Sequence, residues 1–408
     1  MSSLIEYTKR LRPKTKYWLF YNDSMFIDEY SNPFGKNKIP IMCNIEDEHG
    51  LESFEAYESG NRSILLESDG EWLKAKGIGI PRGISQPFLR GGEAHTYMLY
   101  DDPDMCHRYI LWGFMTQEEY GCELYGSEKA KELGQEIEFL GSACLNDVNY
   151  VTYKDRSELF DKLYKVKLED LIEKFRVEGR KTAAYSIYYR VPSDLRVEEL
   201  FFVFMFPQVT RLIDRRAIEE YVEWLGSSCG AMLRSFHDSE SLHGTWVGDR
   251  ATSLGLRDVH SNSYVGNYLV DEEKLTMCDF DLSKPIERES EKDVEKWALA
   301  HIENPLHYAG SFMPSDAIAQ GVAKRNPFRE KLAKIFEDSV NTGYKESPGD
   351  IEREFKRMML YKIIKAKELF WKIYELPRDL IGHIAYLDYL IAQKKIDNKK
   401  FSELVKNL

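Results

Sequence analysis

Apolar and polar positions alternate in distinct ways along the chain, and the changes of rhythm mark the elements. The first 60 residues mix aromatics with Pro, Gly and Asn and read as irregular chain with short strands. Ile64-Leu-Leu and Trp72-Leu-Lys-Ala-Lys76 then flank a Ser-Asp-Gly turn at 68–70, the signature of a hairpin. Residues 95–112 are rich in strand formers. A helical pattern follows from Thr116 to Leu133, opened by the capping-box sequence Thr-Gln-Glu-Glu and stopped by Gly134. Residues 183–190 and 200–206 read as strands, the second fully apolar and closed by Pro207.

After Pro207 the rhythm turns to one apolar face every 3.6 residues. From Arg216 to Phe236 the stripe is Ile218, Tyr221, Val222, Leu225, Cys229, Met232, Leu233 and Phe236. Residues 256–283 return to short strands and loops, and helical patterns resume over 294–302, 328–340, 351–374 and 380–408. The order predicts an α+β protein in two parts: a β-rich part over 1–207, and a mainly helical part over 208–408 that carries a short hairpin.

Composition narrows the classes. A chain of 408 residues is long enough for two cores, and its 43% hydrophobic and 13% aromatic content is that of a folded protein. A formal net charge of -12 argues against nucleic acid as a partner, because such binding needs a basic surface to displace counterions. The sequence lacks an 18-residue apolar run, and its first residues lack a leader's apolar stretch, so no membrane partner is expected. The 6 cysteines are scattered without a CxxC pair, a pattern of reduced thiols that points to the cytoplasm.

Candidate chemistry lies in four segments. Asn267 opens the apolar triplet Tyr268-Leu-Val270, and Asp279 follows a second triplet at Leu275. Two strand ends joined by a turn would hold an amide oxygen and a carboxylate at fixed separation. A hard Mg²⁺ (or Mn²⁺) ion takes such oxygens and completes its shell with phosphates. Upstream, Asp258 and His260 are candidate proton acceptors, and Asn262 stands five residues before Asn267. In the second segment Lys74, Lys76, Gly77 and Gly79 suit phosphate, the lysines by charge and the glycines by letting N–H groups approach. Third, Glu128 on the helix before Gly134 is a candidate partner for such a lysine. Fourth, Arg190 and Arg196 flank a Pro-Ser turn, and the guanidinium fork donates to phosphate in parallel pairs.

Together these segments resemble the selenoprotein O family, protein-kinase-like proteins that transfer AMP from ATP to protein hydroxyls. Leu73-Lys-Ala-Lys-Gly-Ile-Gly is similar to that family's Leu-Lys-Gly-x-Gly, and Ser127-Glu128 before Leu133-Gly134 to its Ser-Glu-Ala…Leu-Gly. Arg190-Val-Pro-Ser-Asp-Leu-Arg196 is similar to its Arg-Val-Ala-Pro-Ser-His-Ile-Arg, and Asp279-Phe-Asp stands where it has Asp-Tyr-Gly. The resemblance implies a two-lobed fold, with a β-rich N-lobe, a helical C-lobe and extra C-terminal helices. It also implies ATP held by Lys76 (or Lys74) with Glu128 and by both arginines, a divalent ion on Asn267 and Asp279, and a protein substrate.

Two departures leave alternatives open. Gly266 stands where the family has an Asp, and in a His-x-Asp-x₄-Asn alignment Asn262 replaces the catalytic aspartate. The readings are therefore an AMP transferase, a phosphotransferase acting on a protein or a small molecule, and an ATP-binding pseudokinase.

Overall fold

The computed structural model describes residues 4–12, 14–21, 26–27, 33–34, 38–41, 52–59, 63–78, 115, 117–145, 184–197, 199–200, 213–243, 245–247, 259–261, 267–281, 283–285, 327–346 and 349–374. The predicted elements over 95–112, 294–302 and 380–408 lie outside these residues. The fold is α+β, with an antiparallel sheet and several helices. Two compact units result, both discontinuous in sequence and more interleaved than a single boundary after residue 207. One takes Arg12–Gly121 and Glu138–Val191, the other Met1–Leu11, Cys122–Ile137 and Pro192–Leu408.

The first unit is a sheet of 8 strands: β1 (Lys14–Tyr21), β2 (Phe26–Ile27), β3 (Lys38–Ile41), β4 (Glu52–Glu58), β5 (Ser63–Ser68), β6 (Glu71–Lys76), β7 (Glu138–Leu145) and β8 (Ala184–Val191). Their order is β2-β7-β8-β6-β5-β4-β1-β3, all antiparallel. The predicted β5–β6 hairpin is present, closed by Asp69 and Gly70 at φ 53 and 80. Two successive positive φ values make a turn whose twist matches that of the strands, which is why Asp-Gly occupies it. β6 lies between β5 and β8, and everything in it from Trp72 to Lys76 is buried. Aromatic packing steadies the faces: Tyr57 meets Trp72 edge-on at 5.7 Å, and Phe34 meets Tyr188 at 5.2 Å.

In the second unit, α1 is Leu4–Leu11, and α2 (Gln117–Glu132) contributes all but its first turn. The long helix α3 (Arg215–Asp238) is capped by Asp214, which accepts from the N–H groups of Arg216 and Ala217. Its buried face holds the predicted apolar stripe apart from Met232, widened by Trp224, Gly226, Ser227, Gly230 and His237. α4 (Pro327–Lys345) lies against it at a glycine crossing, where a Cβ on Gly230 would stand 2.1 Å from the Val340 carbonyl oxygen. α5 (Arg353–Tyr374) follows. Three small pairs of strands complete the unit: β9 (Ser241–Leu242) with β14 (Lys284–Pro285), β10 (Thr245–Val247) with β11 (Val259–Ser261), and β12 (Tyr268–Val270) with β13 (Leu275–Met277).

One expectation is corrected. The apolar run from Leu200 was predicted as a strand, yet Glu199 and Leu200 are helical, and 201–206 lie outside the described residues. The reason is a half capping box: Glu199 accepts from the Arg196 N–H through its side chain at 3.3 Å and donates its own N–H to the Arg196 carbonyl at 2.9 Å.

Candidate functional site

The β12–β13 hairpin does what its sequence implies. Tyr268 faces Met277 and Val270 faces Leu275, so the residues just outside the ladder, Asn267 and Cys278, meet next. The Cys278 N–H donates to the Asn267 carbonyl at 2.9 Å, which puts Asp279 one residue beyond that closure. Asp271 shapes the turn, its carboxylate accepting from the N–H groups of Glu273 and Lys274 at 2.6 and 2.7 Å. Burial pushes its carboxyl above the ordinary value, and those two backbone hydrogen bonds oppose the shift. Asp279 has φ 65, a left-handed backbone at a residue other than glycine. Such backbone is sparsely populated and concentrates where geometry serves a site.

The arginine segment lies along this hairpin. The Val270 N–H donates to the Leu195 carbonyl at 2.7 Å, and Arg196 bridges Leu269 antiparallel. Arg196 Nη1 donates to Asn267 Oδ1 at 3.3 Å. Asn267 is fully buried, and its Nδ2 has no hydrogen-bond partner among the described residues. An orphaned buried donor costs about 1–3 kcal/mol, so this amide group is held at some expense to stability.

A third support comes from a residue that sequence reasoning passed over. His243 is buried, and its Nε2–H donates to the carbonyl of Cys278 at 3.0 Å, immediately before Asp279. Its own carbonyl accepts from Ser283 Oγ at 2.6 Å, and its ring meets Phe280 edge-on at 5.2 Å. The signal was Leu242-His243-Gly244 directly after the end of α3. His260, chosen from sequence, stands opposite Trp246 in the β10–β11 pair. Asp258, Asn262 and Gly79 lie outside the described residues.

Helix α2 packs on the residue after Asp279. A Cβ on Gly126 would fall 2.5 Å from Phe280 Cβ, Tyr125 bonds Ser241 Oγ at 2.6 Å, and Gln135 Oε1 accepts from the Met277 N–H at 2.8 Å. The buried face of α2 carries Glu119, Glu123, Gly126, Ser127 and Ala130. Glu128, the glutamate selected from sequence, is exposed. Glu123, with 0% of its surface exposed, is the carboxylate that the helix buries in this unit. The helix phase decides which glutamate is inside.

In the sheet unit Lys74 and Lys76 are both buried on the same face of β6. Gly77 has φ 74, and a Cβ there would meet the Tyr185 carbonyl oxygen at 2.7 Å, so packing alone demands glycine. Arg190 is half-exposed at 47% and pairs with Glu71 and Glu138 across neighbouring strands. β8 thus delivers it to surface carboxylates of the sheet.

Asn267 and Asp279 thus offer an amide oxygen and a carboxylate at neighbouring strand ends. This suits a hard dication whose remaining ligands are phosphate and water oxygens. Among the described residues no group of three or more His, Cys, Asp or Glu side chains is placed to hold a metal by itself. No helix among them is long and apolar enough to cross a membrane. Compared with family models, curated proteins and solved structures, the chain shows no match.

Proposed function

We propose that the chain is an ATP- and Mg²⁺-dependent transferase of protein-kinase-like, two-lobed architecture, moving AMP from ATP to a protein hydroxyl as the selenoprotein O resemblance implies. The observation that carries it is the convergence of Arg196, Asn267 and Asp279 on one short hairpin. Supporting it are the left-handed Asp279, the orphaned amide of Asn267, and the order of elements: a strand with buried lysines, then a helix with a buried glutamate, then two strands. In this reading Lys76, or Lys74, carries phosphate charge, and Glu123 takes the role first given to Glu128. The thiols at Cys122, Cys144, Cys229 and Cys278 suit a reducing cytoplasm.

A Mg²⁺ held by Asn267 and Asp279 would supply positive charge against the phosphates. Arg196 holds Asn267 Oδ1 in the resting arrangement, so nucleotide entry moves its guanidinium onto a phosphate and releases that oxygen. The acceptor hydroxyl oxygen then bonds to the α-phosphorus, the bond from that phosphorus to its bridging oxygen breaks, and pyrophosphate leaves. Asp258 and His260 are the sequence candidates for taking the hydroxyl proton.

Arg190 favours a second reading. Its guanidinium is engaged by Glu71 and Glu138 within the sheet, while that of Arg196 donates to Asn267. One arginine grips a terminal phosphate less firmly than two, and phosphoryl transfer to a protein or small molecule then becomes the rival. ATP labelled separately at the α and γ positions decides: label retained from α supports AMP transfer, and label retained only from γ supports a kinase. Retention of neither, with Mg²⁺-dependent binding intact, indicates a pseudokinase. If Asp279→Ala shows the same thermal stabilisation by ATP and Mg²⁺ as wild type, the metal assignment is wrong.

A further inference from the structure

The candidate metal hairpin has only 3 residues in each strand, and helix α5 grips its turn. Arg353 pairs with Glu273, and Arg357 Nε lies 3.0 Å from Glu272 Oε2. Between them Lys356 Nζ donates to the Glu273 carbonyl at 3.0 Å and to Asp350 Oδ1 at 2.8 Å. The same ammonium lies 4.8 Å from the ring centroid of Trp224, a buried residue of α3. One cation therefore joins α3, α5, the loop at Asp350 and the hairpin turn.

These contacts are unequal. The Arg353 pair is solvent-exposed, and such pairs contribute about 0–1 kcal/mol. Lys356 is 8% exposed, and a buried ammonium holds its place only while its hydrogen bonds are met. Asp350 responds to it, its carboxyl held below the ordinary value by the Lys356 hydrogen bond. Lys356 is thus the member of the trio whose loss would be felt at the turn. A ladder of three residue pairs separates that turn from the Asn267–Cys278 closure, so a shift of the turn tilts both ends together.

We infer that α5, through Lys356, is the positioning device for Asn267 and Asp279: Lys356 is a positioning residue that sets where the amide oxygen and the carboxylate stand. This rests on the metal reading of the hairpin, and the two fail separately. Hydrogen exchange on the full chain compares wild type with Lys356→Met, Lys356→Arg and Asp350→Asn. In Lys356→Met the amides of Val270, Met277 and Cys278 exchange about tenfold faster, the equivalent of one charged hydrogen bond, while those of α3 stay within about twofold. Lys356→Arg restores protection, and Asp350→Asn, which loosens the lysine without emptying its place, gives a smaller change in the same direction. Exchange that is unchanged at the hairpin, or raised equally in α3, overturns the inference.

A second measurement links the grip to the metal. The Mn²⁺ concentration giving half of the ATP-dependent thermal stabilisation should rise about tenfold in Lys356→Met and return in Lys356→Arg. Faster hairpin exchange with no change in that concentration also overturns the inference, since Lys356 would then serve stability alone. Absence of any metal-dependent stabilisation in wild type instead removes the nucleotide reading, and the positioning role for a metal pair falls with it.

Discussion

His243 Nε2–H donates to the carbonyl of Cys278 at 3.0 Å, and that single bond ties the segment after α3 to the residue before Asp279. The carbonyl is buried, so its loss is costly: His243→Phe keeps an aromatic ring but strands the acceptor, at about 1–3 kcal/mol. An unfolding free energy lowered by that amount, read from a lower denaturant midpoint, together with weaker metal-dependent ATP stabilisation, is the expected result. An unchanged midpoint would show that water or a neighbour replaces the bond.

Glu123 and Glu128 differ in helix phase alone, which makes them a paired test. Glu128→Gln at an exposed position should change stability by less than about 0.5 kcal/mol and leave ATP affinity intact. Glu123→Gln, at a fully buried position, should lower ATP affinity about tenfold, the loss expected for one charged hydrogen bond. Isothermal titration with ATP and Mn²⁺ on both variants reads the difference. The reverse ranking would restore Glu128.

His237 carries the clearest pH signature. Burial lowers its pKa from 6.5 to about 4, opposed by Asp238 and aided by Arg234, and its Nδ1 is hydrogen-bonded to the Tyr344 hydroxyl at 2.7 Å. Because the folded pKa is depressed, the unfolded chain binds the extra proton first. The contribution is therefore complete above pH 6.5, falls as pH drops towards 4, and totals about 3 kcal/mol at 1.36 kcal/mol per pH unit. Carboxylates titrate in the same window, so the measurement is the difference between wild type and His237→Asn in urea midpoint across pH 4–7. That difference should shrink as pH falls.

Gly230 tests the α3–α4 crossing. Alanine would raise helix propensity by about 1 kcal/mol, yet its Cβ would lie 2.1 Å from the Val340 carbonyl oxygen, a backbone atom that cannot swing aside. Overpacking of this kind costs about 1–3 kcal/mol and should win, so Gly230→Ala lowers the thermal midpoint. A higher midpoint would mean that the two helices separate freely.

Local pattern was enough for the elements whose signals are short-range. The Asp69-Gly70 turn demands positive φ, the stripe from Ile218 to Phe236 has a single apolar side, and Tyr268-Leu-Val and Leu275-Thr-Met joined by an Asp-initiated turn favour the β12–β13 hairpin. Each follows from residues within one turn or one strand pair, so the sequence by itself determined them. Partnership across the fold was decided elsewhere. Whether Glu123 or Glu128 faces inward depends on where α2 meets Phe280, and the ion pairs of Arg190 depend on the carboxylates that β7 and β6 bring beside β8. The bond from His243 to Cys278 spans 35 positions, and that of Lys356 to Glu273 spans 83. Such contacts leave no periodic trace in the chain, because burial and charge pairing are properties of surfaces brought together only by folding.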